Sequence, residues 1–279
     1  CTRFNAIGGP VIPVCATTAQ ANDPNAACSS GPINFWWAGA ESSYTALLAR
    51  VDKRMSQRYQ FTVSYALQNS KSIQDITQNL NNYFATYGPD LPRHNLTVSG
   101  TVDVGAGFQV SLLSYYLSRT PVAPVISGFD NTGTNVSSTG YTPLLAVTGG
   151  GYSDFLTPSD LQALVNQYNS TVAGTLTPAG KAGISPNQKY PTITLPASYQ
   201  LGDSFSSQDL RVTKTFKFGS RADVRLIGEV FNILNTSNLA NFNFNLASPS
   251  TFGRANQRLG QTFGTGGPRA AQLAVRVGF

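Results

Sequence analysis

The feature that most constrains the fold is a two-residue alternation of apolar and polar side chains, in segments of about ten residues. In residues 59–68 the aromatic and apolar side chains occupy the odd positions, and polar or small ones the even positions. The same alternation returns in residues 95–104 and in the last ten residues, which end at Phe279. Successive side chains of a strand point to opposite faces, so each segment would separate two different environments. About ten residues is also what a tilted strand needs to cross a bilayer.

Weaker alternation marks further strands in residues 44–53, 108–116, 210–218 and 223–233, for about seven strands in all. Charged residues make up 11% of the chain and hydrophobic residues 41%. A typical soluble chain is about 25% charged, and no apolar run here reaches the roughly 18 residues of a spanning helix. This composition excludes a disordered chain, a coiled coil and a helical membrane protein, and it favours a β-rich one.

The lengths of the connections distinguish a soluble β-sandwich from a transmembrane β-barrel. Turns at 54–58, 105–107 and 219–222 are short, whereas the connections at 69–94, 117–208 and 234–270 are long and rich in Gly, Asn, Ser and Pro. Long structureless loops are uncommon in compact soluble domains, but transmembrane barrels alternate short periplasmic turns with long extracellular loops. Aromatic residues flank the short turns, as in an interfacial girdle: Tyr59, Phe61, Phe108, Phe216 and Phe218.

The predicted fold is therefore all-β, a segment of an antiparallel transmembrane β-barrel with long extracellular loops. We expect residues 1–38 to be an extracellular loop region and residues 39–279 to hold the barrel strands. Within them, 117–208 is a long loop region with a short helix near 158–168, capped by Thr157. A single-chain barrel normally has both ends in the periplasm. One outward strand is then missing before residue 44, so we expect an incomplete barrel and a C-terminal fragment.

The distribution of charge and the spacing of the cysteines indicate neither a nucleic-acid partner nor a zinc site. The net charge is +6, but the basic residues are scattered rather than clustered, which argues against a nucleic-acid partner. The three cysteines, Cys1, Cys15 and Cys28, lack the spacing of a zinc site. A loop disulfide between Cys15 and Cys28 is the pairing that we expect, and it would need an oxidising compartment.

Enzymatic constellations are poorly represented. His94 is the only histidine, and at a strand entrance it is more typical of a polar rim residue than of a catalytic base. Gly105-Ala106-Gly107 lacks the third glycine and following helix of a dinucleotide site, so it reads as a turn. We therefore predict no enzyme activity, no catalytic or metal-binding residue and no cofactor.

The polar face of the predicted strands would line the lumen. Around the turn at 219–222, placing Lys217 opposite Asp223 also places Arg211 opposite Glu229, and such cross-strand pairs help to fix register. Lys214 contradicts the pattern, because it falls between Val212 and Phe216 on the lipid face. A position near the periplasmic turn would let it snorkel. The lumen-facing candidates are Asp209, Arg211, Lys217, Asp223, Arg225, Glu229 and Arg276.

Four motifs in the last seventy residues resemble a known family: Ser207-Gln208-Asp209-Leu210-Arg211-Val212, the stretch from Gly228-Glu229-Val230-Phe231-Asn232 to Asn238, Phe252-Gly253-Arg254, and Pro268-Arg269-Ala270-Ala271-Gln272 leading to Phe279. They look like the C-terminal barrel of TonB-dependent outer-membrane transporters, in particular the Oar-like subgroup with a carboxypeptidase-regulatory-like domain. Residues 44–54 and 63–67 are also similar to that subgroup.

The resemblance implies an outer-membrane barrel of about 22 strands. Its partners would be the surrounding lipid, the N-terminal plug and remaining strands of the full-length protein, the TonB complex and an unidentified extracellular ligand. Phe279 would be the signal for barrel assembly. Two alternatives remain: a structural or adhesive module, either an outer-membrane barrel or a secreted β-sandwich without transport activity, and, less favoured, a secreted carbohydrate-active enzyme. Loop aromatics such as Trp36, Trp37, Tyr83, Phe84, Tyr87 and Tyr152 could stack on sugars or peptides.

Overall fold

A computed structural model of the chain describes residues 17, 41–73, 87–128, 142–143, 156–181, 186–219, 221–259 and 264–279. The three cysteines and the expected disulfide lie outside these residues, as does almost all of the expected loop region 1–38. The loop aromatics listed above, apart from Tyr87, also lie outside them.

Seven long strands form one antiparallel sheet, in the order β1-β2-β4-β5-β8-β9-β12. They are β1 (Ser42–Ser56), β2 (Tyr59–Ile73), β4 (His94–Gly105), β5 (Phe108–Leu117), β8 (Phe205–Phe218), β9 (Ala222–Phe231) and β12 (Ala270–Gly278). These are the seven strands predicted from the alternation. β1 and β12 are the two edges of the sheet, so the described residues make an open wall and not a closed barrel.

The remaining elements lie in the long connections. The short strand β3 (Tyr87–Pro89) pairs with the end of β2. β6 (Val125–Ile126) pairs with β7 (Thr142–Pro143), and β10 (Leu239–Phe242) pairs with β11 (Ala255–Arg258). Helix α1 (Pro158–Thr171) and the single-turn helix α2 (Pro178–Lys181) lie between β7 and β8. None of the helices in the described part of the chain has the length and apolar content for crossing a membrane as a helix.

Strand register keeps the two faces of the wall chemically distinct. Val63 pairs with Val51 on one side and Val98 on the other, and the neighbouring polar row joins Thr62 to Asp52 and Ser99. A slip of one residue would exchange the two faces, so the pattern fixes the register. The apolar face stays uncovered: Val275 is 67% exposed. Val275 therefore does not enter a dry interior between two layers, as it would in a β-sandwich.

Three strands, β1, β2 and β8, are clearly longer than the alternation predicted. β1 and β2 each contain 15 residues, or about 50 Å at roughly 3.3 Å per residue, which exceeds the hydrocarbon thickness of about 30 Å. β8 begins at Phe205, five residues before the expected start at Leu210. Beyond a membrane both faces of a strand would meet water, so the alternation fades although the backbone ladder continues.

The dry core lies in the long connections, not in the wall. Its buried residues are Val122, Ile126, Leu156, Leu161, Val165, Tyr168, Ile193, Leu201, Leu246 and Phe252. Helix α1 contributes three of them at helical spacing, and it begins at the predicted Thr157 cap. Arg119, just after β5, donates hydrogen bonds to the carbonyls of Leu201 (2.5 Å) and Leu156 (2.6 Å). The connections thus form a packed loop unit that is tied to the end of the wall.

Candidate functional site on the polar face of the sheet

A groove of about 540 Å³ crosses the polar face of the wall. It follows one register row, in which Gly100, Leu112 and Leu210 are successive partners. On each strand the residues before and after this row turn their side chains into the groove. Most of these side chains are polar: Gln60, Thr62, Ser99, Thr101, Arg211 and Glu229. The polar face is thus the hollow side of the wall, as expected for a lumen.

Three side chains form a charged cluster at one end of the groove. Arg211 pairs with Glu229 in the sheet register, as predicted, and its Nε donates to Glu229 Oε1. Gln272, opposite Glu229 on β12, donates its amide to the other carboxylate oxygen. Only 11% of the Glu229 side chain is exposed, against 56% for Arg211. Both Glu229 oxygens are therefore engaged, while much of the guanidinium faces the lumen.

The second predicted pair has the expected register but different partners. Lys217 lies opposite Asp223, yet the ion pair at Asp223 is with Arg225, whose Nε lies 2.7 Å from Asp223 Oδ2. Arg225 lies two residues after Asp223 on the same strand, so its guanidinium can reach the carboxylate. Arg276 of β12 lies directly opposite Arg225. Like charges opposite each other are unfavourable. Asp223 therefore compensates the charge of Arg225, the cation that has a second arginine opposite it. Lys217 lies nearer the turn, outside this ion pair.

Asp209 takes part in a different contact from the lumen pairs. It is almost buried, at 8% exposure. Its Oδ1 accepts hydrogen bonds from the Asn232 backbone amide at 2.8 Å and the Ser207 hydroxyl at 3.0 Å, and its Oδ2 accepts from the Thr265 hydroxyl. A buried carboxylate is costly unless it is hydrogen-bonded. Here three neutral donors satisfy it, and they come from three separate segments of the chain.

Two buried asparagines complete this contact, which we call the polar clamp: Ser207, Asp209, Asn232 and Asn238 holding residues 265–267. The Asn232 amide donates to the Gly267 carbonyl at 2.6 Å, and the Asn238 amide to that of Gly266 at 3.1 Å. Gly266 has φ +82° and lies so close to the Phe205 ring that a Cβ would collide with it. The clamp therefore fixes the chain just before β12.

The sequence indicated the clamp only indirectly. The alternation predicts Asp209 as a lumen-facing residue, and no local pattern marks Asn232, Asn238 or Thr265 as its partners. Ser207, Asp209, Asn232 and Asn238 nevertheless all lie within the motifs that carry the family resemblance. Asparagine at positive φ, as at Asn232 (+46°) and Asn238 (+46°), is the local signal that marks a specialised turn.

Among the described residues, no three His, Cys, Asp or Glu side chains are close enough together to hold a metal ion. His94 is on the apolar face, and its Nδ1 lies 2.8 Å from the Tyr65 hydroxyl. Phe279 follows β12 and is fully exposed, so the predicted assembly residue is accessible.

Comparison with known proteins agrees with this architecture: the family described as "Outer membrane beta barrel domain" matches residues 2–272. The chain belongs to this family. Neither a curated protein nor a solved structure matches it. As an outer-membrane β-barrel domain it is located in the outer membrane, and the apolar face of its wall is the lipid-facing one. This finding removes the secreted β-sandwich among the alternatives.

Proposed function

We propose that this barrel domain is the C-terminal part of a TonB-dependent transporter of the Oar-like subgroup, which takes up an unidentified ligand bound by its extracellular loops. The plug and the remaining strands would come from the rest of the full-length protein, with the TonB complex acting through its N-terminal part. Outer-membrane lipid surrounds the wall, and Phe279 serves as the barrel-assembly signal.

The observation that carries this proposal is the convergence of the resemblance motifs in space. Asp209 of the first motif bonds to Asn232 of the second, and both hold the segment that leads into the last one. Asp209 and Thr265 are 56 residues apart in sequence. The motif residues thus have a common structural role in one buried network, and this supports the proposed relationship.

The chemistry of the groove supports a removable occupant. Its lining includes the hydroxyl groups of Thr62, Ser99, Thr101, Ser111 and Thr265 and the amide of Gln60, with an exposed guanidinium at Arg211. Polar interfaces between domains of one chain permit relative motion more readily than large apolar ones. A plug that must shift during uptake would therefore find suitable contacts here.

We further propose that the domain has no enzyme activity, no cofactor and no nucleic-acid partner. The His94 ring is engaged by the Tyr65 hydroxyl on the apolar face, whereas the acidic side chains of the wall point to the polar face. In the described part of the chain the ring contact of His94 is with a tyrosine hydroxyl, whereas a general base of a catalytic triad is oriented by a carboxylate.

The decisive experiment uses the full-length protein purified from outer membranes and the periplasmic domain of TonB immobilised as the probe. We expect the full-length protein to be retained and a matched version lacking the segment before the plug to pass through. A full-length reading frame without a plug, or equal retention of both proteins, would overturn the transporter proposal.

An adhesive barrel is the second candidate function, and the folded loop unit favours it. The buried core of the loop unit makes it a folded body outside the membrane, which is suitable for contact with another surface. An adhesive barrel has no use for energy from TonB, so failure of retention in the same experiment would support it.

A further inference from the structure

Charge is distributed unequally between the two faces of the wall. All the acidic residues of the seven long strands lie on the polar face: Asp52, Asp103, Asp209, Asp223 and Glu229. The register places three lysines on the lipid-facing side. Lys71 lies near the extracellular end of β2, whereas Lys53 and Lys214 lie near short turns. The lipid-facing side of these strands thus carries positive charge without any carboxylate.

Lys214 is held at the periplasmic edge by its surroundings. Its ammonium group donates a hydrogen bond to the Ala106 carbonyl, in the turn between β4 and β5. It lies 4.1 Å from the centre of the Phe108 ring and 5.3 Å from that of Phe216. Gly107 brings the turn close, because any Cβ there would meet the Thr215 carbonyl. This geometry explains how the sheet tolerates the lysine that disagreed with the alternation: it snorkels to the turn.

Lys53 repeats the arrangement on the first hairpin. Its ammonium lies 3.6 Å from the centre of the Tyr59 ring and donates to the Ser56 hydroxyl at 2.8 Å. It also donates to the carbonyls of Ser56 (3.1 Å) and Tyr59 (3.2 Å). Each lysine is half-buried and lies a few residues before its turn. Two different hairpins therefore place a cation over girdle aromatics at the same edge of the wall.

Rings and carbonyls orient an ammonium group but leave its full charge uncompensated. Anionic headgroups attract lysines near a membrane surface, and the attraction decays within a Debye length. A lysine that snorkels reaches the membrane interface, which is where the phosphates of phospholipids lie. We propose that the periplasmic edge of the lipid-facing wall binds anionic phospholipid headgroups, with Lys53 and Lys214 as the two contacts.

The two contacts are separate. Four inter-strand intervals lie between β1 and β8, which at about 4.8 Å each gives roughly 19 Å. Each lysine would therefore hold its own lipid. The proposal depends on the outer-membrane barrel and on its short turns facing the periplasm. It does not depend on transport, so the TonB experiment and the one below can fail independently.

The test uses the full-length protein in nanodiscs with equal amounts of phosphatidylglycerol and phosphatidylcholine. Lipids that remain bound after detergent exchange are counted by mass spectrometry. We expect the native protein to retain phosphatidylglycerol preferentially, and Lys214→Gln and Lys53→Gln each to reduce that preference about fivefold. Lys214→Arg should keep it. High salt should weaken it in the native protein.

Lys217→Gln is the matched control, because it removes the same charge from the same strand but on the polar face. Native-like gel mobility before heating would establish that each variant is folded, and Lys53 provides a second hairpin if Lys214→Gln is not. Equal loss in Lys217→Gln, or an unchanged preference in both lipid-face variants, would overturn the proposal.

Discussion

The wall and the loop unit use the same apolar residue types in opposite ways. On the wall, Leu273 is 90% exposed and Val275 67% exposed, while in the loop unit Leu161 and Tyr168 are completely buried. Backbone ladders hold the wall together, and lipid covers its apolar face. The loop unit must instead bury apolar surface away from water. One chain therefore contains a region whose hydrophobic residues match a membrane and another that folds as a soluble protein does.

The polar clamp lies at the ends of the wall strands that lead into the long connections. It connects the extracellular ends of β8 and β9 to the segment before β12, through buried amides and one carboxylate. Buried hydrogen bonds are directional, whereas apolar contacts are not. The clamp can therefore fix the segment before β12 relative to β8 and β9, which lipid contact alone would not do.

Truncation in the loop core gives the largest expected effect. Leu161→Ala should lower the free energy of opening of the loop unit by about 2 to 5 kcal/mol, because it leaves a cavity among fully buried neighbours. The measurement is hydrogen exchange of the α1 amides in the detergent-solubilised protein. The control is Leu273→Ala, which removes an equal side chain from the lipid-facing wall and should leave exchange in α1 unchanged.

Equal changes of α1 exchange in both leucine variants would contradict the difference between the wall and the loop unit. That result would mean that the wall and the loop unit unfold as one cooperative body, with the clamp transmitting the loss between them.

A new charge on the wall tests the difference between its two faces. Val98→Lys places an ammonium group in the middle of β4 on the lipid-facing side, where we expect a cost of about 2 to 4 kcal/mol in folding into vesicles. Ser99→Lys adds the same charge one residue later, on the polar face, and should cost much less. The measurement is the equilibrium folded fraction in urea with lipid vesicles. Equal costs would contradict the assignment of the faces.

Local pattern predicted the wall well because both of its determinants are local. Alternation assigned the faces, and the turn at 219–222 set the register that places Arg211 opposite Glu229. The same turn places Lys217 opposite Asp223, as predicted, but the ion pair of Asp223 is with Arg225 of its own strand, a choice between two neighbouring cations that alternation does not encode. The strand pair β10–β11 was missed, since four-residue strands carry little periodic signal. The clamp needed contacts between separate motifs, which no local pattern encodes.

The smallest expected effect concerns the start of α1, at the edge of the loop unit. The Asp160 carboxylate accepts hydrogen bonds from the Thr157 amide at 2.9 Å and the Thr157 hydroxyl at 2.6 Å, and these bonds hold the pKa of Asp160 below its usual value. A lowered folded pKa means that this contribution is present above about pH 4 and is lost as the pH falls through the folded pKa.

Thr157→Ala should cost about 1 kcal/mol at pH 7 and reduce the acid sensitivity of α1 opening, measured by hydrogen exchange corrected for intrinsic rates. Asp160→Asn should remove that sensitivity while the wall stays unchanged; an acid slope that persists in Asp160→Asn would place its origin elsewhere in the loop unit.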